Sequence, residues 1–265
     1  MPHFRIEQST LPHGLPRFSL GSGEPLIVLR GFAANHANPK GMERPLELKI
    51  VKPLAERFRV HAVTRAPGMR QGTTMAEIAT QHAEALMEEF GEPVNVLGLS
   101  SGGSLALQLA ADHPHTVRKL VVAGAGHRLT DLTRRVQRRY TEVAATGRRS
   151  LHLLAPLMTG SRLGQLALTP ALWLMDPMMR PSDPADPLAF ARAEDSFSIR
   201  DRLSEITAPT LVINGDRDLA YTPEIFRETA EGIPDCRHIV YPGASHMGSF
   251  THPRFASDIA DFVLS

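Results

Sequence analysis

Gly98-Leu99-Ser100-Ser101-Gly102 sets a serine between glycines two residues to either side. A hydroxyl held this way can attack a carbonyl carbon. The run before it, Pro93-Val94-Asn95-Val96-Leu97, is short and Val-rich, and Leu105 to Ala111 after it is rich in helix formers. G-x-S-x-G between a strand and a helix makes a sharp turn that lifts the serine Oγ to the edge of a sheet. The glycines remove Cβ atoms where strand and helix nearly collide, and they tolerate the turn's unusual dihedrals. Centring the motif on Ser101 requires glycine at position 99, which is leucine, so Ser100 is the candidate nucleophile. Ser101 then opens the helix, and its backbone N–H offers one half of an oxyanion hole. The bland alternative is a Gly/Ser-rich turn that only caps a helix.

A serine hydroxyl needs a base, and the base needs a carboxylate to orient it. The strand-like run Thr210-Leu211-Val212-Ile213 leads into Asn214-Gly215-Asp216-Arg217-Asp218, an acid-bearing turn. The run 237–241 leads into Pro242-Gly243-Ala244-Ser245-His246, a loop with one histidine. Groups at the C-terminal ends of strands converge on one crevice in doubly wound sheets. The order Ser…Asp…His differs from those of chymotrypsin and subtilisin.

These residues must be positioned by the rest of the chain. Leu26 to Leu29, Arg59 to Val63, Val94 to Leu97 and Leu120 to Ala123 read as buried strands. Leu48 to Phe58 and Met75 to Phe90 read as amphipathic helices between them. The fold class expected is α/β, with a doubly wound, mostly parallel sheet. His3 to Gln8 and Pro16 to Leu20 read as a short opening hairpin. From about His127 to Ser204 the alternation stops, and helical stretches at 132–145, 151–158, 163–175 and 187–195 replace it. The expected organisation is a core of residues 1–126 and 205–265, with residues 127–204 forming a helical cap between the sixth and seventh strands. Strand 210–213, helix 223–231, strand 237–241 and a last helix from His252 to Val263 complete the core.

The chain resembles an α/β-hydrolase fold serine hydrolase with such a cap. Leu29-Arg30-Gly31-Phe32, Gly98 to Gly103, Gly215-Asp216-Arg217-Asp218 and Gly243-Ala244-Ser245-His246 carry the resemblance. It implies Ser100 as nucleophile, His246 as base and Asp218, rather than Asp216, as the orienting acid. It implies the Phe32 N–H as the second oxyanion donor, beside that of Ser101. His113, His115, His238 and His252 are taken as surface or packing residues. The chain departs from the family pattern at Arg30, where His commonly precedes the glycine. Arg30 then either pairs with an acid to hold the loop or helps to bind an anionic substrate group.

The function implied is cleavage of a carboxylic ester or related acyl compound through an acyl-enzyme. C–C bond hydrolases and cofactor-free perhydrolases share the fold, as do small-molecule receptors with slow turnover. Dehalogenases and epoxide hydrolases of the fold carry aspartate at the elbow, and Ser100 argues against both. No metal or nucleotide cofactor is implied, since the glycines of 98–103 spell neither a dinucleotide fingerprint nor a P-loop.

The 265 residues carry 29 Lys and Arg against 28 Asp and Glu, a net charge of +1. That balance gives no general reason to expect nucleic acid or an anionic membrane as partner. The single Cys236 excludes a disulfide framework within the chain. The first residues lack the apolar core of a signal peptide, and no uncharged run matches a membrane span, so a cytoplasmic location is expected. Oligomeric state is not legible.

The cap segment is basic, with Arg128, Arg134, Arg135, Arg138, Arg139, Arg148 and Arg149. Two readings stand: a solvated face offset elsewhere, or a surface for carboxylate-bearing substrates or an acidic partner. Downstream, Leu163 to Met179 is apolar and Met-rich. Trp173 and Met175 are candidates, with Arg30, for lining a pocket around an apolar acyl or alcohol group.

Overall fold

The computed structural model describes residues 4–265. Its strands are β1 (Glu7–Leu11), β2 (Leu15–Gly21), β3 (Glu24–Leu29), β4 (Phe58–Val63), β5 (Val94–Leu99), β6 (Val117–Ala123), β7 (Thr210–Gly215) and β8 (Cys236–Tyr241). They form an eight-stranded sheet in the order β1-β2-β4-β3-β5-β6-β7-β8. The first two ladders, β1 with β2 and β2 with β4, are antiparallel, and every later ladder is parallel. Mostly parallel strands need helical crossovers, which cover both faces of the sheet.

The helices are α1 (Glu43–Leu54), α2 (Met75–Phe90), α3 (Ser101–Asp112), α4 (Asp131–Ala145), α5 (Ala155–Met158), α6 (Arg162–Met175), α7 (Ala185–Asp195), α8 (Pro223–Gly232), α9 (His246–Phe250) and α10 (Phe255–Val263). The period-two alternation of strand side chains sorts the core into two layers. Ile27, Leu29, Val96, Val122 and Val212 pack with α2, α3 and α8 on one face. Leu26, Val28, Leu97, Val121 and Leu211 pack with α1 and α10 on the other. β5, at mid-sheet, is buried along its whole length.

Helix α2 spans the residues expected of it, held at its start by a Thr74–Glu77 capping box and ended by Gly91 in the left-handed region. Three boundaries differ from the sequence reading. Helix α1 begins at Glu43 and ends at Leu54, ahead of the expected 48–58, because the chain must turn before β4 starts at Phe58. The opening hairpin pairs Glu7–Leu11 with Leu15–Gly21. Of the earlier segment expected as its first strand, His3 lies outside the described residues. The last helix begins at Phe255, after a separate short helix that carries His246.

Between β6 and β7 the chain is helical. Helix α4 packs on α7 and on a 3₁₀ turn at Leu151–Leu154. A small apolar cluster of Tyr140, Leu151, Ala155 and Leu172 lies there, and Phe32 of the core packs against it.

Candidate active site

Strand β5 ends at Leu99 and α3 begins at Ser101, so Ser100 makes the whole turn. It has φ 52° and ψ −125°. Positive φ in a non-glycine residue costs of order 1–3 kcal/mol and persists only where surrounding packing imposes it. Here the imposition is visible. A Cβ on Gly98 would lie 2.5 Å from both the Gly102 carbonyl oxygen and the Gly103 Cα, and one on Gly102 would collide with the Leu29 carbonyl. The Ser100 N–H donates to the Ala123 carbonyl at 2.9 Å, tying the turn to β6.

The C-terminal ends of β7 and β8 bring the other two groups. His246 opens α9, whose Ser245 cap accepts from the Gly248 N–H. His246 Nδ1 lies 2.8 Å from Asp218 Oδ2, and Nε2 lies 2.9 Å from Ser100 Oγ. With Nδ1–H donating to the carboxylate, Nε2 is left to accept the serine proton. Asp218 is itself oriented, since its Oδ1 accepts from the N–H groups of Ala220 at 2.8 Å and Tyr221 at 3.3 Å. Asp216 does something else. Its Oδ1 accepts from the Gly243 N–H at 2.7 Å and pins the loop that leads to His246.

Phe32 and Ser101 flank Ser100. A Cβ on Gly31 would sit 3.3 Å from the Ser100 Cβ, so the loop after β3 passes directly beside the serine. Among the described residues, neither the Phe32 N–H nor the Ser101 N–H donates to a protein group. The Phe32 ring meets Tyr140 edge-on at 5.8 Å and Phe190 at 6.3 Å, under the helices between β6 and β7.

Two buried charged residues near the site were not picked out from the sequence. Arg65, 1% exposed, donates from Nη1 to the Arg30 carbonyl at 3.1 Å and from Nη2 to the Gly31 carbonyl at 3.0 Å. Its Nε donates to His36 Nε2 at 3.2 Å, and its guanidinium lies 4.1 Å above the Phe190 ring. Burial, with Arg30 nearby, lowers its pKa to about 10, so it stays charged at neutral pH. His36 is driven down to about 3 by burial and by Arg65. Neutral, with Nδ1 facing the Ala66 carbonyl, it can accept from the arginine. Glu194 of α7 is fully buried. Its Oε2 accepts from Gln137 at 2.8 Å, and its Oε1 has no partner. Burial raises its pKa, and the hydrogen bond from Gln137 tempers the rise. The only sequence signal for Arg65 is a cation just past a buried strand, and Glu194 leaves none.

The three pocket candidates do not share a place. Arg30 is 2% exposed and paired through Nε and Nη2 with Glu47 Oε1, at 3.0 and 2.9 Å. Its Nη1 holds the Ala37 carbonyl. The guanidinium thus ties the loop after β3 to Glu47 and the Ala37 carbonyl. Trp173 is on the outer face of α6, 48% exposed, with the Arg149 guanidinium 3.6 Å over its ring. Met175 packs against the cluster that Phe32 joins. A cleft of about 430 Å³ opens to one side, among Asn35, His36, Asn38, Lys40, Ser182 and Asp186, and none of Ser100, Asp218 or His246 lines it.

A mostly parallel sheet that brings a serine, a carboxylate and a histidine together beyond the ends of β5, β7 and β8 is the arrangement of the α/β-hydrolase fold. The chain belongs to that family, whose profile matches residues 24–253. It is 24% identical over 248 residues to pimeloyl-[acyl-carrier protein] methyl ester esterase of Nitrosomonas europaea, covering 88% of this chain and 92% of the relative. It is 27% identical over 199 residues to a 2-hydroxy-6-oxononadienedioate/2-hydroxy-6-oxononatrienedioate hydrolase of Cupriavidus pinatubonensis, covering 65% and 62%. A thermophilic esterase from Thermogutta terrifontis superposes with a TM-score of 0.71 at 22% identity over 98% of each chain, a likeness of fold.

Proposed function

We propose that this α/β-hydrolase is a serine hydrolase that cleaves a carboxylic ester or a related acyl compound through an acyl-enzyme. The observation that carries the reading is the continuous relay Ser100 Oγ, His246 Nε2, His246 Nδ1, Asp218 Oδ2, with links of 2.9 and 2.8 Å. His246 takes the Ser100 proton as Oγ attacks the carbonyl carbon, and Asp218 fixes the imidazole tautomer. The unpartnered N–H groups of Phe32 and Ser101 stabilise the oxyanion. His246 then protonates the leaving alcohol, which departs. It next draws a proton from water, which attacks the acyl carbon and frees Ser100. The scheme uses side chains, backbone N–H groups and water alone.

The methyl ester esterase relatives, matched over most of their length, favour an ester over the C–C bond that the same triad would also serve. A receptor role is disfavoured, because recognition alone does not require a base relayed to a buried acid. The test is labelling by a fluorophosphonate read by intact mass, with turnover measured on nitrophenyl esters of graded chain length. One adduct in the wild type, none in Ser100→Ala, and turnover lower by about 10⁴-fold or more in the variant are expected. A folded wild type that neither labels nor turns over would overturn the reading in favour of a receptor.

A further inference from the structure

Apart from Arg162, Gln165 and Thr169, helix α6 is apolar, close to the pattern of a helix meant to be buried on every side. Yet it is buried on one side only. Leu172 is 6% exposed, and Leu168 and Met175 pack inward on the Tyr140 cluster. Every exposed residue from Leu163 to Met178 is also apolar. Leu163 is 80%, Leu166 73%, Leu174 70% and Met178 68% exposed, with half-exposed Trp173 at their edge. A contiguous outward apolar ridge of this kind marks an interaction site.

The charge of the segment that carries it points to the partner. Residues 127–182 hold nine arginines and three acids, a net +6, while the remaining 209 residues hold 20 cations and 25 acids. The whole-chain balance of +1 hides this asymmetry. Arg128, Arg135, Arg139, Arg148 and Arg162 are exposed and make no ion pair among the described residues. Arg162 opens α6, and Arg149 stacks on Trp173 while donating to its carbonyl at 2.8 Å. An exposed apolar ridge with a tryptophan at its edge and arginines beside it suits the headgroup boundary of an anionic bilayer, where apolar side chains enter and cations pair with phosphates. A second copy of the chain fits poorly, because two-fold pairing of the ridge would bring the Arg149 and Arg162 guanidinium groups of one copy toward those of the other. No helix among the described residues is long and apolar enough to cross a membrane.

We infer that the α6 ridge docks this protein on anionic lipid surfaces, with Leu163, Leu166, Leu174 and Met178 entering the headgroup layer and the arginines pairing with lipid phosphates. The ridge begins beside the serine site. Met158, 50% exposed, precedes it, and Gly160 approaches the Leu219 side chain, next in sequence to Asp218. Met247, after His246, is 51% exposed.

Co-sedimentation with phosphatidylcholine vesicles, with and without phosphatidylglycerol, tests the inference without relying on turnover, and Ser100→Ala serves equally well as the probe. Binding stronger by about tenfold or more on the anionic vesicles, weakened by salt, is expected. Leu166→Asp with Leu174→Asp should abolish it and leave hydrolysis of a water-soluble nitrophenyl ester unchanged. Arg148→Gln with Arg162→Gln should weaken it by about tenfold or more. No vesicle binding by the wild type, or binding undiminished in the leucine variant, would overturn the inference. So would dimerisation abolished by the leucine variant without vesicle binding, which would give the ridge to a second copy. Absence of both would leave an acidic protein as the occupant and equally overturn the lipid assignment.

Discussion

Arg65 Nη2 donates to the Gly31 carbonyl oxygen at 3.0 Å, and that oxygen belongs to the same peptide unit as the Phe32 N–H. In a trans peptide the two bonds point in opposite directions. Anchoring the Gly31 oxygen therefore aims the Phe32 N–H the other way, and the second bond, to the Arg30 carbonyl, stops the adjacent peptide from rotating. The proposed oxyanion donor is thus held by a buried cation on the neighbouring strand end.

Lysine at position 65 keeps the charge but loses the planar fork. Arg65→Lys is expected to lower kcat on a nitrophenyl ester by about 10- to 100-fold with little change in KM, as for a weakened oxyanion donor. Steady-state kinetics check this, and a retained cooperative thermal transition shows that the variant is folded.

Arg30 should behave as a brace. Arg30→Met leaves Glu47 without its buried partner and the Ala37 carbonyl without a donor, so a loss of about 3 kcal/mol is expected from denaturant unfolding. The ratio of rates on anionic and neutral esters should stay the same. A selective loss on anionic esters would return Arg30 to substrate binding.

Acid should weaken the fold through its buried imidazoles. Burial is the leading cause that lowers His36 to about 3, and His61 and His82 to about 4. Unfolded, each titrates near its ordinary 6.5. Between these values the unfolded chain binds more protons, so stability is full above pH 6.5 and falls as pH drops toward 4. Each group contributes up to about 1.4 kcal/mol per pH unit in that window. Denaturant midpoints at pH 7.5, 6 and 5 should decrease in that order.

Glu194 works in the opposite direction. Its pKa is raised by burial, so the folded chain holds this proton more tightly than the unfolded one. The stability it provides is complete at low pH and is lost as pH rises from the ordinary carboxylate range through its folded value. Glu194→Gln keeps an acceptor for Gln137 and removes that loss. Its gain in denaturant midpoint over the wild type should be larger at pH 8 than at pH 5.

The parts of the fold and site legible in the sequence are those whose chemistry leaves a local mark. Buried parallel strands need continuous apolar runs, and the elbow needs glycines at 98 and 102 because backbone atoms occupy the Cβ positions. Asp218 follows such a strand and His246 follows the edge strand β8, so their approach to Ser100 could be read from topology. Strand β1 left little mark, because four of its five residues are exposed and carry no apolar period. Arg65 and Glu194 act through partners far along the chain, and no spacing reveals them. The outward face of α6 was hidden for another reason: an apolar helix reads as packing, and only coordinates show which side is left uncovered.

The Ser100–His246 contact joins residues 146 positions apart. Loop-closure entropy opposes such a contact until intervening elements have shortened the effective loop. A ribosome-bound chain that ends before β8 would have Ser100 on its turn without His246, the base proposed for it. Chemical reactivity at Ser100 is therefore a clock for the completion of folding, reporting when the C-terminal strand and the short helix after it have joined the sheet.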